Sequence, residues 1–388
     1  MACDKFLNPE GAFYTFDIGV LKKRIAHIRE SLPENIDLCY AVKANTFIIG
    51  EIKDSVERFE ICSPGESEIC DKLNVPADMT VISGLYKTPE FIESLIKNTK
   101  GRIYTVESLL QYEMLNEYAE KYKNPIDILL RLTNDSQFGI NREDIENIIV
   151  HKDERKYTDI KGIQFFSGTQ KTSVKKIGRE LRMLDAFILH LKDDFGYVAD
   201  ELEYGTGFPA TYFEEDDFDE EQYFKDVSEL FSQLQCGAKI TIELGRSIAA
   251  TCGKYYTDIV DIKRNGGQNY AITDGGMHHI VYYGQAMAMK HPSVSVCGKE
   301  NCEKTEAWNV CGLLCSMNDI IVKQLNLPEI AVGDRLCFEN TGAYCVIEGI
   351  SLFLSRDFPA VYLIKEDGTK VCVRKTVQAA QFNLPTEI

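Results

Sequence analysis

The chain predicts an α/β fold: a (β/α)8 barrel of the TIM type over residues 16–242, with residues 1–15 and 243–388 forming a mostly antiparallel β domain. Two observations carry this. From about residue 16 to about residue 240, short β-prone apolar runs alternate with amphipathic helical stretches in units of roughly 20 to 40 residues, as parallel strands with helical crossovers require. Beyond about residue 240, β-prone runs follow one another with Gly-Asp and Asp-Gly turns between them. About eight units in about 220 residues suit a closed barrel, and an open doubly wound sheet accommodates them as well.

The elements follow in order. Gly11-Ala12-Phe13-Tyr14-Thr15-Phe16 is a strand ahead of the first barrel helix and is therefore free to join the β domain. Residues 20–32 form an amphipathic helix closed by Pro33. Strands are expected at 38–42, 59–62, 80–82, 102–105, 126–132, 162–166 and 202–204, with helices between most of them, including 51–58 and 175–191. In the second domain the strands are 254–263, 269–273, 307–311, 335–338, 360–364 and 370–373.

Composition narrows the function. With 388 residues the chain has material for two domains and a large core. A net charge of −17 argues against nucleic acid or an anionic membrane as partner, since both need clustered Lys and Arg. No run approaches the roughly 18 apolar residues that span a bilayer, and Met1-Ala2-Cys3-Asp4-Lys5-Phe6 lacks the basic start and apolar stretch of a secretory leader. Thirteen cysteines, an odd number without a compact framework, fit the reduced thiols of a cytoplasmic protein. Cys297, Cys302, Cys311 and Cys315, with His278 and His279, fall inside the loose spacing of a zinc site but lack the commoner two-residue spacing, and no metal is expected.

Five segments bear chemistry. Lys43 ends the strand-like Cys39-Tyr40-Ala41-Val42; a buried ammonium there tends to lose its proton or pair with an anion, and a neutral lysine condenses with carbonyls. A strand-end lysine that reaches solvent is the plainer alternative. Gly205-Thr206-Gly207 after a strand frees backbone N–H groups for an anion, or is a tight turn. Phe166-Ser167-Gly168-Thr169-Gln170 is another strand end with a hydroxyl-bearing loop. Thr241-Ile242-Glu243-Leu244-Gly245-Arg246 delivers a carboxylate able to keep a ring nitrogen protonated, or a surface ion pair. Cys311-Gly312-Leu313-Leu314-Cys315-Ser316-Met317-Asn318-Asp319, with Gly342-Ala343-Tyr344, lies in the β region.

In this order the segments closely resemble the alanine-racemase-like fold of pyridoxal-phosphate enzymes, in its ornithine and diaminopimelate decarboxylase branch, from about Phe13 to Ile364. Phe59-Glu60-Ile61-Cys62-Ser63-Pro64-Gly65-Glu66 and Arg131 through Gln137-Phe138-Gly139 match further family segments, with Gln137 where a lysine is usual. The resemblance implies pyridoxal 5'-phosphate on Lys43, with Glu60 and Arg131 beside it and Phe166 stacking on the ring in place of a histidine. Glu243 then meets the ring nitrogen. Thr169, Gly205, Gly207, Gly245, Arg246 and Tyr344 hold the phosphate. Cys315, reaching across a homodimer interface, is the acid that returns a proton to the α-carbon, with Ser316 and Asp319 on the substrate.

Two departures argue against meso-diaminopimelate: Ser316 stands where those enzymes have a glutamate, and no arginine follows Asp274-Gly275-Gly276-Met277-His278-His279. Phe-Ser-Gly-Thr-Gln, Asp-Gly-Gly-Met-His-His and Leu-Leu-Cys-Ser-x-x-Asp are closer to the branch of the butirosin-pathway decarboxylase, which acts on glutamate tethered to an acyl carrier protein. The implied function is decarboxylation of an amino acid, free or carrier-bound. An amino-acid racemase and a non-catalytic decarboxylase homologue are the alternatives; Glu243, rather than an arginine, at the ring nitrogen favours decarboxylation.

Overall fold

The computed structural model describes residues 10–385; the opening segment read for a leader lies outside them. The chain divides into two compact units, one of residues 25–209 with 219–247 and one of the remaining described residues. The second unit takes in residues 10–24, 210–218 and 248–385, and the last barrel strand runs through Glu243 to Leu244 in the first.

Strand β1 (Phe13–Asp17) leads into helix Ile18–Glu30. Eight parallel strands then close a barrel: β2 (Ile36–Ala41), β3 (Arg58–Ile61), β4 (Thr80–Ile82), β5 (Ile103–Val106), β6 (Ile126–Arg131), β7 (Thr158–Phe166), β8 (Glu201–Gly205) and β9 (Lys239–Leu244), with β9 paired back to β2. These strands are buried along nearly their whole length, as expected where side chains on one face fill the barrel and those on the other meet helices. The helices begin where the sequence supplies caps. Ser63, Ser108 and Ser173 each accept a hydrogen bond from the backbone amide three residues on, opening helices Pro64–Lys72, Leu109–Tyr122 and Val174–Phe195.

One expected helix is largely absent. Only Ile49–Ile52 is α-helical in the region read as helix over 51–58. The Asn45 side chain accepts from the Phe47 amide and turns the chain early, and the Glu57 amide donates to the Leu38 carbonyl at 3.0 Å, drawing that stretch alongside β2.

The second unit is a nine-stranded sheet built on β10 (Gly253–Asn265), β11 (Gln268–Thr273), β12 (Val294–Val296), β13 (Glu306–Cys311), β14 (Ile320–Leu327), β15 (Arg335–Phe338), β16 (Ala360–Ile364) and β17 (Lys370–Arg374). Its order is β14-β13-β11-β10-β1-β16-β17, with β15 pairing β10 and β12. Pairing is antiparallel except between β1 and β16 and between β11 and β13. The N-terminal strand therefore sits inside this sheet, between β10 and β16. Strands β12 and β14 are additions to the sequence reading. The first is three residues long, and the second carries Gln324 at φ 53°, which breaks the two-residue alternation that marks a strand.

Among the described residues no helix is long and apolar enough to cross a membrane, and no three His, Cys, Asp or Glu side chains are grouped to hold a metal ion. Among the described residues eleven cysteines are free thiols.

Candidate active site

Three ionisable side chains converge at the C-terminal mouth of the barrel because β2 pairs with both β3 and β9. In register, Ala41 lies beside Glu60 and Cys39 beside Glu243. Strand β2 stops at Ala41, and the 3-10 turn Val42–Ala44 carries Lys43. The Lys43 amino group donates to Glu60 and, at 3.5 Å, to Glu243 Oε1; the Cys62 sulfur lies 3.7 Å away. The Cys62 thiol donates to the other Glu60 oxygen at 3.3 Å, and Gln164 of β7 donates to Glu243 Oε2 at 3.1 Å. Both carboxylates are buried, while the Lys43 side chain is 37% exposed.

Burial penalises either carboxylate charge, so the pair divides unequally. At Glu60 the Lys43 charge and the hydrogen bonds outweigh burial and hold the carboxyl below its usual range. At Glu243 burial, reinforced by the neighbouring Glu60 charge, pushes the carboxyl well above it. Glu60 is therefore the anion and Glu243 the carboxyl that keeps a proton. Burial and the Glu60 charge also raise Cys62, which stays a thiol.

Next to this centre three loops meet. Phe166, the last residue of β7, packs over Gly205, where any Cβ would run into the ring. Gly207 has φ +63° and a Cβ there would strike the Gly168 carbonyl oxygen, so only glycine fits. The Thr169 hydroxyl accepts from Arg246 Nε at 3.3 Å. Thr169 and Arg246, from separate segments, are thus in direct contact, and Gly245 stands between β9 and Arg246.

Arg131 ends β6 and pairs with a residue that sequence reasoning missed: its Nη1 is 3.0 Å from Glu107, which is buried just past β5. The Arg131 guanidinium also lies 4.5 Å from the centre of the Phe138 ring. Lys87 was missed as well. It is buried, donates to the Gly84 carbonyl at 2.9 Å and to Gln111 at 3.0 Å, and is lowered to about 8 by burial. Glu107 follows a strand, which is a usable signal; Lys87 sits in a polar stretch with none.

Cys315, Ser316, Asp319 and Tyr344 belong to the sheet unit. The turn between β13 and β14 exposes Cys315 and buries Asp319. The Asp319 carboxylate accepts from the Met277 and Leu314 amides, each at 2.7 Å. A Cβ on Gly312 would collide with that carboxylate. Asp319 thus holds the turn that presents Cys315 and Ser316. Tyr344 takes the left-handed conformation at φ 65°, and its carbonyl accepts from the Ile347 and Glu348 amides.

Residues 13–342 match the family described as pyridoxal-dependent decarboxylase, C-terminal sheet domain. The chain is 23% identical to an L-glutamyl-[BtrI acyl-carrier protein] decarboxylase of Niallia circulans, covering 94% of this chain and 91% of that one. It is 27% identical to a 2-[(L-alanin-3-ylcarbamoyl)methyl]-2-hydroxybutanedioate decarboxylase of Staphylococcus aureus, over 91% and 95% of the two chains. In structure it resembles a diaminopimelate decarboxylase of M. jannaschii with TM-score 0.85 at 21% identity, covering 97% of this chain and 92% of the other. That likeness establishes the shared fold. Because the family match runs through the barrel and on into the sheet, the chain belongs to the pyridoxal-dependent decarboxylases.

Proposed function

We propose that the protein removes the α-carboxylate from a substrate with an amino-acid head and an extended far end, free or carried on a larger molecule, with the site completed by the partner subunit of a homodimer. The observation that carries this reading is the Lys43 amino group at the end of β2, within reach of both Glu60 and Glu243. The residues present fit pyridoxal phosphate: an amine at a strand end for its aldehyde, a buried carboxyl group for its ring nitrogen, an aromatic face at Phe166 and a glycine loop for its phosphate. When bound, that cofactor supplies the electron sink for the pair left on the α-carbon as carbon dioxide departs.

The protein's own groups do the rest. Lys43 binds the cofactor, and Glu60 holds the lysine head in place. Glu243 keeps a proton at the ring nitrogen. Thr169, Gly205, Gly207, Gly245, Arg246 and Tyr344 would hold the phosphate, and Arg131 would lie beside the cofactor. Cys315 of the partner subunit returns a proton to the α-carbon, with Ser316 beside the far end of the substrate. A carboxyl at the ring nitrogen supports decarboxylation over racemisation, because it favours full withdrawal of charge into the ring. The relatives are named for a carrier-bound glutamyl group and for an L-alanin-3-yl amide of a hydroxybutanedioate, which share an α-amino-acid head and differ beyond it.

The test is carbon dioxide release and product mass from cofactor-loaded protein. The panel holds both enantiomers of ornithine, lysine, arginine and glutamate, with meso-diaminopimelate, carboxynorspermidine and carrier-bound glutamate. Carbon dioxide with an amine product is expected; inverted stereochemistry without carbon dioxide overturns the reading in favour of a racemase. Lys43→Ala is expected to lose the yellow absorption of the loaded protein, and an unchanged spectrum removes Lys43 from its role.

A further inference from the structure

Behind the glycine loop lies a buried ion pair that no family motif above includes. Lys171 follows the Phe166-to-Gln170 loop and is buried; its ammonium donates to Glu180 Oε2 at 2.8 Å and to the Gly205 carbonyl at 3.4 Å. Glu180, on helix Val174–Phe195, also accepts from the Ser167 hydroxyl and, at 2.6 Å, from the Tyr204 hydroxyl. One carboxylate thus gathers both ends of the Ser167–Lys171 loop and the strand that delivers Gly205. The Lys171 backbone repeats the connection, its amide donating to the Gly207 carbonyl at 2.8 Å and its carbonyl accepting from the Tyr223 hydroxyl at 2.8 Å.

This arrangement orients the glycine loop. The carbonyls of Gly205 and Gly207 are both taken up on the Lys171 side. Among the described residues the Gly207 amide donates to nothing, and the Thr169 hydroxyl, accepting from Arg246, keeps its own proton to donate. Had the loop been a simple tight turn, a buried ammonium would be an expensive way to stabilise it, since burying the charge costs more than an apolar side chain of similar size.

We propose that Lys171 and Glu180 are positioning residues for the cofactor phosphate, fixing the Ser167–Thr169 and Gly205–Gly207 loops so that Thr169 and the Gly207 amide are presented to it. The proposal rests on the decarboxylase reading and adds an ion pair to the set that determines cofactor affinity. Its consequence is selective: the pair affects binding of the phosphate and leaves bond formation at Lys43 alone.

The experiment compares pyridoxal phosphate with pyridoxal, which lacks the phosphate, by absorbance titration of the apoprotein. The variant Lys171→Met with Glu180→Gln removes both charges together, so that no unpaired buried charge remains. Pyridoxal affinity is expected to stay within about twofold of wild type while pyridoxal phosphate affinity falls roughly 10- to 100-fold, the scale of a charge-assisted hydrogen bond. Equal losses for the two forms, or no loss, overturn the proposal. Tyr204→Phe and Ser167→Ala each remove one bond to Glu180 and leave the ion pair intact. A several-fold loss confined to pyridoxal phosphate is expected in them, and an unchanged ratio overturns the proposal even if the double variant does not fold. A wild-type chain that takes up neither form overturns the decarboxylase reading itself, a result distinct from loss of selectivity.

Discussion

Glu60 and Glu243 are both buried around one ammonium, so the mouth of the barrel accommodates one carboxylate charge far better than two. Glu243→Gln preserves shape and hydrogen bonding to Gln164 but removes the carboxyl proposed to serve the ring nitrogen. Cofactor uptake is expected to persist while turnover falls about 10- to 100-fold, the weight of a hydrogen bond to a charged group; undiminished decarboxylation would take Glu243 out of the reaction. A second residue-scale consequence concerns pH. His278 and His279 are buried with ring centres 3.8 Å apart, and burial lowers them to about 3 and about 4. His279 donates from Nε2 to the Asp357 carbonyl at 2.8 Å and accepts at Nδ1 from Tyr255, the bonding of a neutral ring. With folded values below the ordinary 6.5, the unfolded chain binds protons first. Their contribution to stability is therefore full above pH 6.5 and shrinks as pH falls towards 4 and then 3. His278→Gln is expected to narrow the gap between urea midpoints measured near pH 7 and near pH 4.5. An unchanged gap would show that other groups set the acid sensitivity. Sequence marked Lys43 and Glu243 because each closes a β-prone run. Lys171, Glu180 and Lys87 carry no comparable mark, since their partners are 9, 9 and 24 residues away in sequence and meet them only through the fold.

The turn between β13 and β14 shows how one element depends on one carboxylate. Asp319 satisfies two backbone amides, and Gly276 and Gly312 leave just enough room for it. Asp319→Ala orphans both amides and is expected to cost on the order of 2–5 kcal/mol in urea unfolding. Gly312→Ala forces the same carboxylate aside and is expected to cost about 1–3 kcal/mol. Because both act through that carboxylate, the double variant should cost clearly less than the sum, and full additivity would mean the two positions are independent. Either change also disorders the presentation of Cys315, so turnover should fall with cofactor affinity unchanged. Barrel strands were legible in the sequence to within a few residues because a strand buried on both faces is a short, continuous apolar run. Strand β14 was not, for its alternation fails at Gln324, and the helix expected over 51–58 gave way to turns fixed by the Asn45 side chain.

At the scale of the whole molecule, β1 connects the first and last parts of the chain. It is paired to β10 on one side and to β16 on the other, so the sheet unit cannot be completed until the strand that starts the chain and the strand at residues 360–364 are both available. The sequence disclosed this two-part organisation through its change from helical to β texture near residue 240. It placed Lys43 and Cys315, the two residues proposed for the chemistry, in different parts of the same chain. That one site takes its lysine and its cysteine from different subunits comes from the family resemblance alone, because no local pattern encodes a quaternary contact. The homodimeric reading makes a quantitative prediction on this point. Lys43→Ala and Cys315→Ala are each expected to be nearly inactive alone, general acid catalysis being worth about 10²- to 10⁴-fold. If each site takes its lysine from one subunit and its cysteine from the other, a mixed dimer of the two variants contains one doubly damaged site and one intact site. Mixing the purified variants under conditions that exchange subunits should then recover activity well above either parent, rising towards a quarter of wild type when the subunits assort at random. A mixture no more active than its parents, with subunit exchange verified by mass, would show that Lys43 and Cys315 serve a site within a single chain.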